Sequence, residues 1–192
     1  MITPGDVLEH PITGETIIFR QTAATTGGKL VGVDFYMRPG AFVAAEHIHP
    51  HQEERFEVIA GTLSGRVGGK ELAGVKGETV VVPPGTPHLW WNSGNEELHV
   101  RVEVRPALTI EGFFETFFGL AQAGKVSTKT GLPNPLQMAV TLRAYQDVLI
   151  LAKPPRPVQT VLFGSLAAVG RVLGYKADYP YPYARQAQAP AT

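Results

Sequence analysis

The sequence predicts an all-β core, a barrel or sandwich, followed by a C-terminal α-helical extension. Three observations carry that prediction. From residue 6 to about residue 106, short β-branched runs alternate with Gly and Pro punctuation. After Pro106 glycine becomes rarer and apolar residues recur with a period near 3.6. A length of 192 residues suits one domain of ordinary size carrying a substantial appendage.

In chain order, residues 16–20, 30–37, 55–59, 79–82 and 98–105 read as strands. The last is the clearest. Leu98, Val100, Val102 and Val104 share one face, while His99, Arg101, Glu103 and Arg105 share the other. A helix follows, in which Ile110, Phe113, Phe114, Phe117, Phe118 and Ala121 form one aromatic stripe that must be buried, ending near Gly124. A second helix is expected from Pro135 at its first turn to about Ala152, before the breaker at 153–157. In a third, Val158, Val161, Leu162, Ser165, Leu166, Val169, Val172 and Leu173 trace one face, and Gly174 is placed to end it as a left-handed cap. Residues 179–192, rich in Pro, Tyr, Ala and Gln, read as an extended or flexible tail.

Composition excludes several classes of function. Seventeen Lys and Arg balance seventeen Asp and Glu, which leaves no basic surplus for nucleic acid or an anionic membrane. No apolar run approaches the length of a spanning helix, so no membrane segment is expected. Cysteine is absent, which removes disulfides, thiolate metal sites and a cysteine nucleophile, and suits a reducing compartment. The first ten residues lack the apolar run of a signal peptide, and a cytoplasmic location is the expectation. Phosphate-binding loops, dinucleotide fingerprints and nucleophile elbows are also missing.

The residues that carry chemistry lie in two clusters. The first runs from Gly40 through His47, His49 and Glu54 to Gly61. Residues two apart in a strand point to the same side, so His47 and His49 can present both imidazoles to one point. Pro50 should break that strand, and Glu54 has the parity to return a carboxylate to the same interior from the next strand, together with Phe56 and Val58. The second cluster is Gly77, Pro83, Gly85, His88 and Asn92, in which a strand and a tight Pro-Pro-Gly turn deliver a further imidazole. Three imidazoles and one carboxylate suit a divalent transition-metal ion (Fe, Mn, Co, Ni, Cu or Zn) with positions left for water or substrate.

These two clusters resemble the paired motifs of the cupin superfamily. The second matches without a gap. The first matches from His47 to Gly61 but has six residues rather than five between Gly40 and His47, which suggests a bulge around Ala44 and Ala45. The resemblance implies a cupin jelly-roll β-barrel over residues 1–106, with a helical extension over 107–178 packed on it. It also implies one metal ion held by His47, His49, Glu54 and His88, and commonly a homodimer.

Some assignments stay open at this stage. His51 continues the alternation past Pro50 and competes with His49, and Glu53 competes with Glu54, although the spacing to Gly61 favours Glu54. His10 and His99 stand alone and read as exposed or structural histidines. Phe35, Met37, Phe56 and Trp90 have interior parity and could line a substrate pocket or fill the barrel. Trp91 has the opposite parity. The phenylalanine stripe could line a pocket mouth, bind a membrane or form a dimer interface; packing against the barrel's outer face is the simplest reading.

By resemblance the expected function is a metal-dependent enzyme on a small organic molecule, a dioxygenase or other oxidoreductase first, with Glu54 as the catalytic acid–base. Non-redox isomerase, lyase or hydratase chemistry is the alternative, as is a non-catalytic metal- and ligand-binding module.

Overall fold

The computed structural model describes residues 2–183. Eleven strands and four helices occur among them: β1 (Val7–His10), β2 (Glu15–Gln21), α1 (Ala23–Thr26), β3 (Val31–Met37), β4 (His47–Ile48), β5 (Glu53–Ala60), β6 (Thr62–Val67), β7 (Lys70–Val75), β8 (Thr79–Val82), β9 (His88–Asn92), β10 (Leu98–Arg105), α2 (Ile110–Gln122), α3 (Pro135–Ala144), β11 (Ile150–Leu151) and α4 (Arg156–Val172). The strands form two antiparallel sheets, ordered β1-β2-β3-β10-β5-β8 and β11-β4-β9-β6-β7. This is a jelly-roll barrel with C-terminal helices. From β3 onwards every connection except β6 to β7 crosses between the sheets, so residues distant in sequence meet across the interior.

Alternation decides what lies inside. In β10, Leu98, Val100, Val102 and Val104 are almost fully buried, and their neighbours on the opposite face are not. The same parity runs across the sheet through Phe56 and Val58 on β5, Val33, Phe35 and Met37 on β3, and Ile17 and Phe19 on β2. One core joins the barrel to the helices, because Ile110, Phe113, Phe118, Leu142 and Tyr145 pack into the same buried cluster as the strand residues.

Glycines at the turns are needed for their backbone. Gly61, between β5 and β6, has φ of 80°, and a Cβ there would come within 2.8 Å of the Glu97 carbonyl oxygen.

Three expectations from the sequence change in the structure. The helix expected over 135–152 stops at Ala144, where the N–H groups of Val148 and Leu149 turn back onto the Tyr145 carbonyl. The next residues, Ile150–Leu151, form β11 on the free edge of β4. An apolar run of five residues fits either period, and the open hydrogen-bonding edge of β4 takes it as a strand.

The phenylalanine stripe of α2 does not lie on the barrel's outer face. It closes one end of the barrel interior.

The apolar stripe of α4 faces outward: Val161 is 71% and Val172 88% exposed. The buried face of α4 carries Gln159, Ala167 and Gly170, and small residues there let α4 approach α3 closely, with Gly170 against Val140 and Leu136. The Gly174 cap forms as expected, with φ of 87°.

Residues 179–183 of the expected tail run beside α2 and β1. The Tyr179 N–H donates to Thr116 Oγ1 and the Glu9 N–H to the Tyr181 hydroxyl. Residues 184–192 lie outside the described residues. No helix among the described residues is long and apolar enough to cross a membrane.

Candidate metal centre

β4 and β9 are neighbours in one sheet, and His47 stands directly opposite His88. Glu54 enters from the other sheet, on β5, between Val104 and Val82. His49 immediately follows β4, and its carbonyl accepts the Gly85 N–H at 2.9 Å, which ties the two sequence clusters together. The turn from β8 to β9 needs a residue at positive φ, and Gly85, at φ of 78°, supplies it.

Between Phe42, which bridges to Trp91, and His47 there are five steps of chain, against three on β9 from Trp91 to His88. The surplus is the expected irregularity at Ala44 and Ala45. Its methyl side chains leave room in the cavity next to His47.

The ligand atoms that His47, His49, Glu54 and His88 can offer all lie within 4.8 Å of one another, and all four residues are buried. Backbone carbonyls orient the rings. Nδ1 of His47 donates to Ala45 O at 3.0 Å, Nδ1 of His88 to Thr86 O at 3.0 Å, and Nδ1 of His49 to Val148 O. A carbonyl can only accept, so each Nδ1 donates and each ring turns its Nε2 towards the centre, where that of His88 is hydrogen-bonded to Glu54 Oε2 at 2.7 Å. The second sequence cluster and the loop before β11 therefore both fix tautomers at the site.

The electrostatics follow from burial and mutual contact. Burial pushes the Glu54 carboxyl up, but His49, 3.4 Å from it, and His88, 2.7 Å from it, outweigh burial and hold it well below the carboxylate range. Burial holds His47 well below its ordinary range, and the rings of His88 and His49 push the same way. For His49, burial lowers the pKa, yet the Glu54 carboxylate more than offsets it and the net shift is upward. Nε2 of His49 is buried with no hydrogen-bond partner.

An orphaned imidazole nitrogen, two further inward-facing imidazoles and an ionised carboxylate form a donor set that fits one metal ion. Its identity is left open, since N and O donors in this number suit several divalent ions.

The cluster borders a cavity of about 80 Å³. Phe35, Phe56 and Trp90 line it, as the sequence suggested, and they meet edge to face, with ring centroids 5.1 Å and 5.4 Å apart. Met37 has the same parity but sits in the core between Glu15 and Leu98, away from the lining. Phe113, Phe114, Phe117 and Phe118 of α2 form the opposite wall.

The other candidates fall elsewhere. His51 is exposed, and Glu53 points to the other face of β5 from Glu54. Asn92 spends its amide on the Met37 and Glu96 carbonyls, so it holds loops together. His99 lies on the outer face, beside the buried Asp34 carboxylate at 3.3 Å. His10 is fully buried rather than exposed, packed on Phe117 and Phe118, and burial brings its pKa down to about 4.

Sequence reasoning missed Glu15, a buried carboxylate on the cavity wall. The available signal was its position at the apolar parity of β2, in step with Ile17 and Phe19.

Residues 33–105 match the family model of the Cupin domain. No curated protein matches the chain at a significant level. Among solved structures, the chain is similar to a sugar phosphate isomerase from a cupin superfamily of Silicibacter pomeroyi (21% identity, TM-score 0.43), over 49% of this chain and 60% of that one. That match therefore spans less than two thirds of the isomerase. A predicted oxalate decarboxylase from Thermotoga maritima is 16% identical over 55% of this chain and 99% of its own, with a TM-score of 0.48. An uncharacterized conserved protein with a double-stranded β-helix domain from Klebsiella pneumoniae is 23% identical over 56% and 84%, with a TM-score of 0.43.

Proposed function

We propose, on the premise that residues 33–105 of this chain are a cupin domain, that the protein is a metal-dependent enzyme acting on a small, largely apolar organic molecule, and that it is an oxygenase. The observation that carries this reading is a buried cluster of three histidines and one glutamate bordering a cavity walled by aromatic rings. His47, His49, Glu54 and His88 would hold the ion. When bound, a redox-active ion supplies electron transfer to dioxygen and polarises a substrate oxygen placed beside it.

The chain's own residues do the rest. The Ala45, Thr86 and Val148 carbonyls hold the imidazoles in one tautomer, so no reorganisation is needed on binding. Phe35, Phe56 and Trp90 exclude water and orient an apolar substrate. Glu54 accepts or returns a proton at the substrate, since its carboxylate sits at the junction of cluster and cavity. A homodimer is part of the same reading, and sedimentation of the purified chain at micromolar concentration tests it.

Metal analysis of the freshly purified protein, beside variants His47→Ala, His49→Ala and His88→Ala, tests the site. About one iron, manganese, nickel, cobalt or copper ion per chain is expected, falling at least tenfold in each variant. Dioxygen consumption with a candidate aromatic substrate then tests the chemistry. Zinc content with turnover that does not require oxygen would move the reading to non-redox isomerase or lyase chemistry. Full loss of metal from the wild type without loss of substrate binding would point to a binding module.

A further inference from the structure

We propose that Glu15 is a second ligand-contacting residue of the cavity, one that receives a hydrogen-bond-donating end, a hydroxyl or ammonium group, of the molecule held there. This rests on reading the cavity as a substrate site.

Glu15 occupies the first inward position of β2, ahead of Ile17 and Phe19, and is 5% exposed. It lines the same cavity as His47, His49 and Glu54. Among the described residues its carboxylate accepts one side-chain hydrogen bond, from Thr13 Oγ1 at 2.6 Å, and has no Lys or Arg within ion-pair distance. The nearby imidazole does not serve as a counter-charge. His10 is itself buried against two phenylalanine rings, and its Nδ1 is engaged as an acceptor of the Thr13 N–H at 3.1 Å.

A carboxylate with about four acceptor positions is thus left with most of them unused in an apolar wall. Burying an ionised carboxylate without partners is unfavourable, and a purely structural role at this place would be met by Gln or by an apolar residue. A donor brought in by the ligand removes that cost. Burial also raises the Glu15 pKa to about 7, as expected for a carboxylate lacking a positive neighbour.

Position makes this contact distinct from the metal cluster. Glu54 pairs through Val104 of β10 to Val31 of β3, whereas Glu15 pairs with Met37, six residues further along β3. Two strands separate β2 from β5. At roughly 4.8 Å per strand and 3.3 Å per residue, the two backbones are at most about 25 Å apart on a flat sheet, and barrel curvature shortens this. A molecule that fills the cavity meets both: an oxygen-bearing group at the cluster, an apolar or aromatic body along the phenylalanine wall, and a donor group at Glu15.

Calorimetric titration of the full-length protein as purified with 3-phenylpropan-1-ol, 3-phenylpropan-1-amine and propylbenzene tests the proposal at the Glu15 end alone, because these probes are short. Glu15→Leu should weaken the alcohol and the amine by about tenfold or more and leave propylbenzene within about twofold. Glu15→Gln should keep the alcohol, whose hydroxyl can donate to the amide oxygen, and weaken the amine. Alcohol and amine affinities unchanged in both variants would overturn the proposal. So would a wild-type protein that binds none of the three, or binds propylbenzene as well as the polar pair. If Glu15→Leu does not fold by circular dichroism, the amine result with Glu15→Gln decides alone. Metal content read on the same samples separates the two readings, since loss of the metal site leaves these outcomes unaffected.

Discussion

At the scale of single residues, the informative groups are buried and charged. His47, His49, Glu54 and His88 support one another, as each Nδ1 proton goes to a backbone carbonyl and each Nε2 faces the carboxylate or its neighbours. Glu15 lacks such support, and that makes its titration a stability signal. Its pKa of about 7 in the folded state lies above the value of 4.5 for the free side chain. The folded state therefore binds the proton more tightly, and stability falls as pH rises from about 4.5 to about 7. At ~1.4 kcal/mol per pH unit the loss is about 3 kcal/mol. His10 acts in the opposite direction: with a pKa of about 4 instead of 6.5, it costs stability as pH falls below about 6.5. Glu15→Gln is expected to become more stable relative to wild type between pH 5 and pH 8, by about 1–3 kcal/mol at the upper end. Urea denaturation at both pH values checks this, and an unchanged difference would show that Glu15 is not buried in ionised form.

At the scale of elements, five strands of the first sheet were legible, while β11 and the surroundings of the helices were not. The alternation in β10 and the glycine-bounded run of β8 locate those strands directly. The periodicity of α2 and α4 locates both helices too, but a helical stripe shows only that one face is apolar, not what covers it. On α2 the stripe became a cavity wall. On α4 the apolar stripe faces out, and contact with α3 runs through Ala167 and Gly170. Two substitutions on α4 separate these faces. Val161→Lys is expected to change stability by less than about 0.5 kcal/mol. Ala167→Leu, forced against Val140 of α3, is expected to cost about 1–3 kcal/mol. Denaturant midpoints decide, and the reverse order would mean that α4 is turned the other way.

At the scale of the whole molecule, the barrel carries the four candidate ligands while the helices close the space in front of them. One buried core crosses that boundary, so occupation of the cluster and global stability should be linked. Saturating the protein with its ion at about a hundredfold above Kd is expected to add about 2.7 kcal/mol. For a chain of this length that raises Tm by about 5–10 °C. Thermal denaturation with and without chelator measures it. A Tm indifferent to metal, or a rise of equal size in His49→Ala, would argue against binding at this cluster.

The sequence by itself determined the candidate ligands and an all-β core, because both are written in local spacing: a period of two in strands, glycine and proline at turns, and His47, His49, Glu54 and His88 at matched intervals; the barrel rather than a sandwich was what the family resemblance implied. Tertiary structure alone decided that Val148 orients His49, that residues 150–151 pair as a strand, that α2 walls the cavity while α4 turns its valines outward, and that Glu15 lies inside it. Each of these depends on which surface a segment meets across the fold, and a one-dimensional pattern records that a face is apolar or a group charged without naming its neighbour.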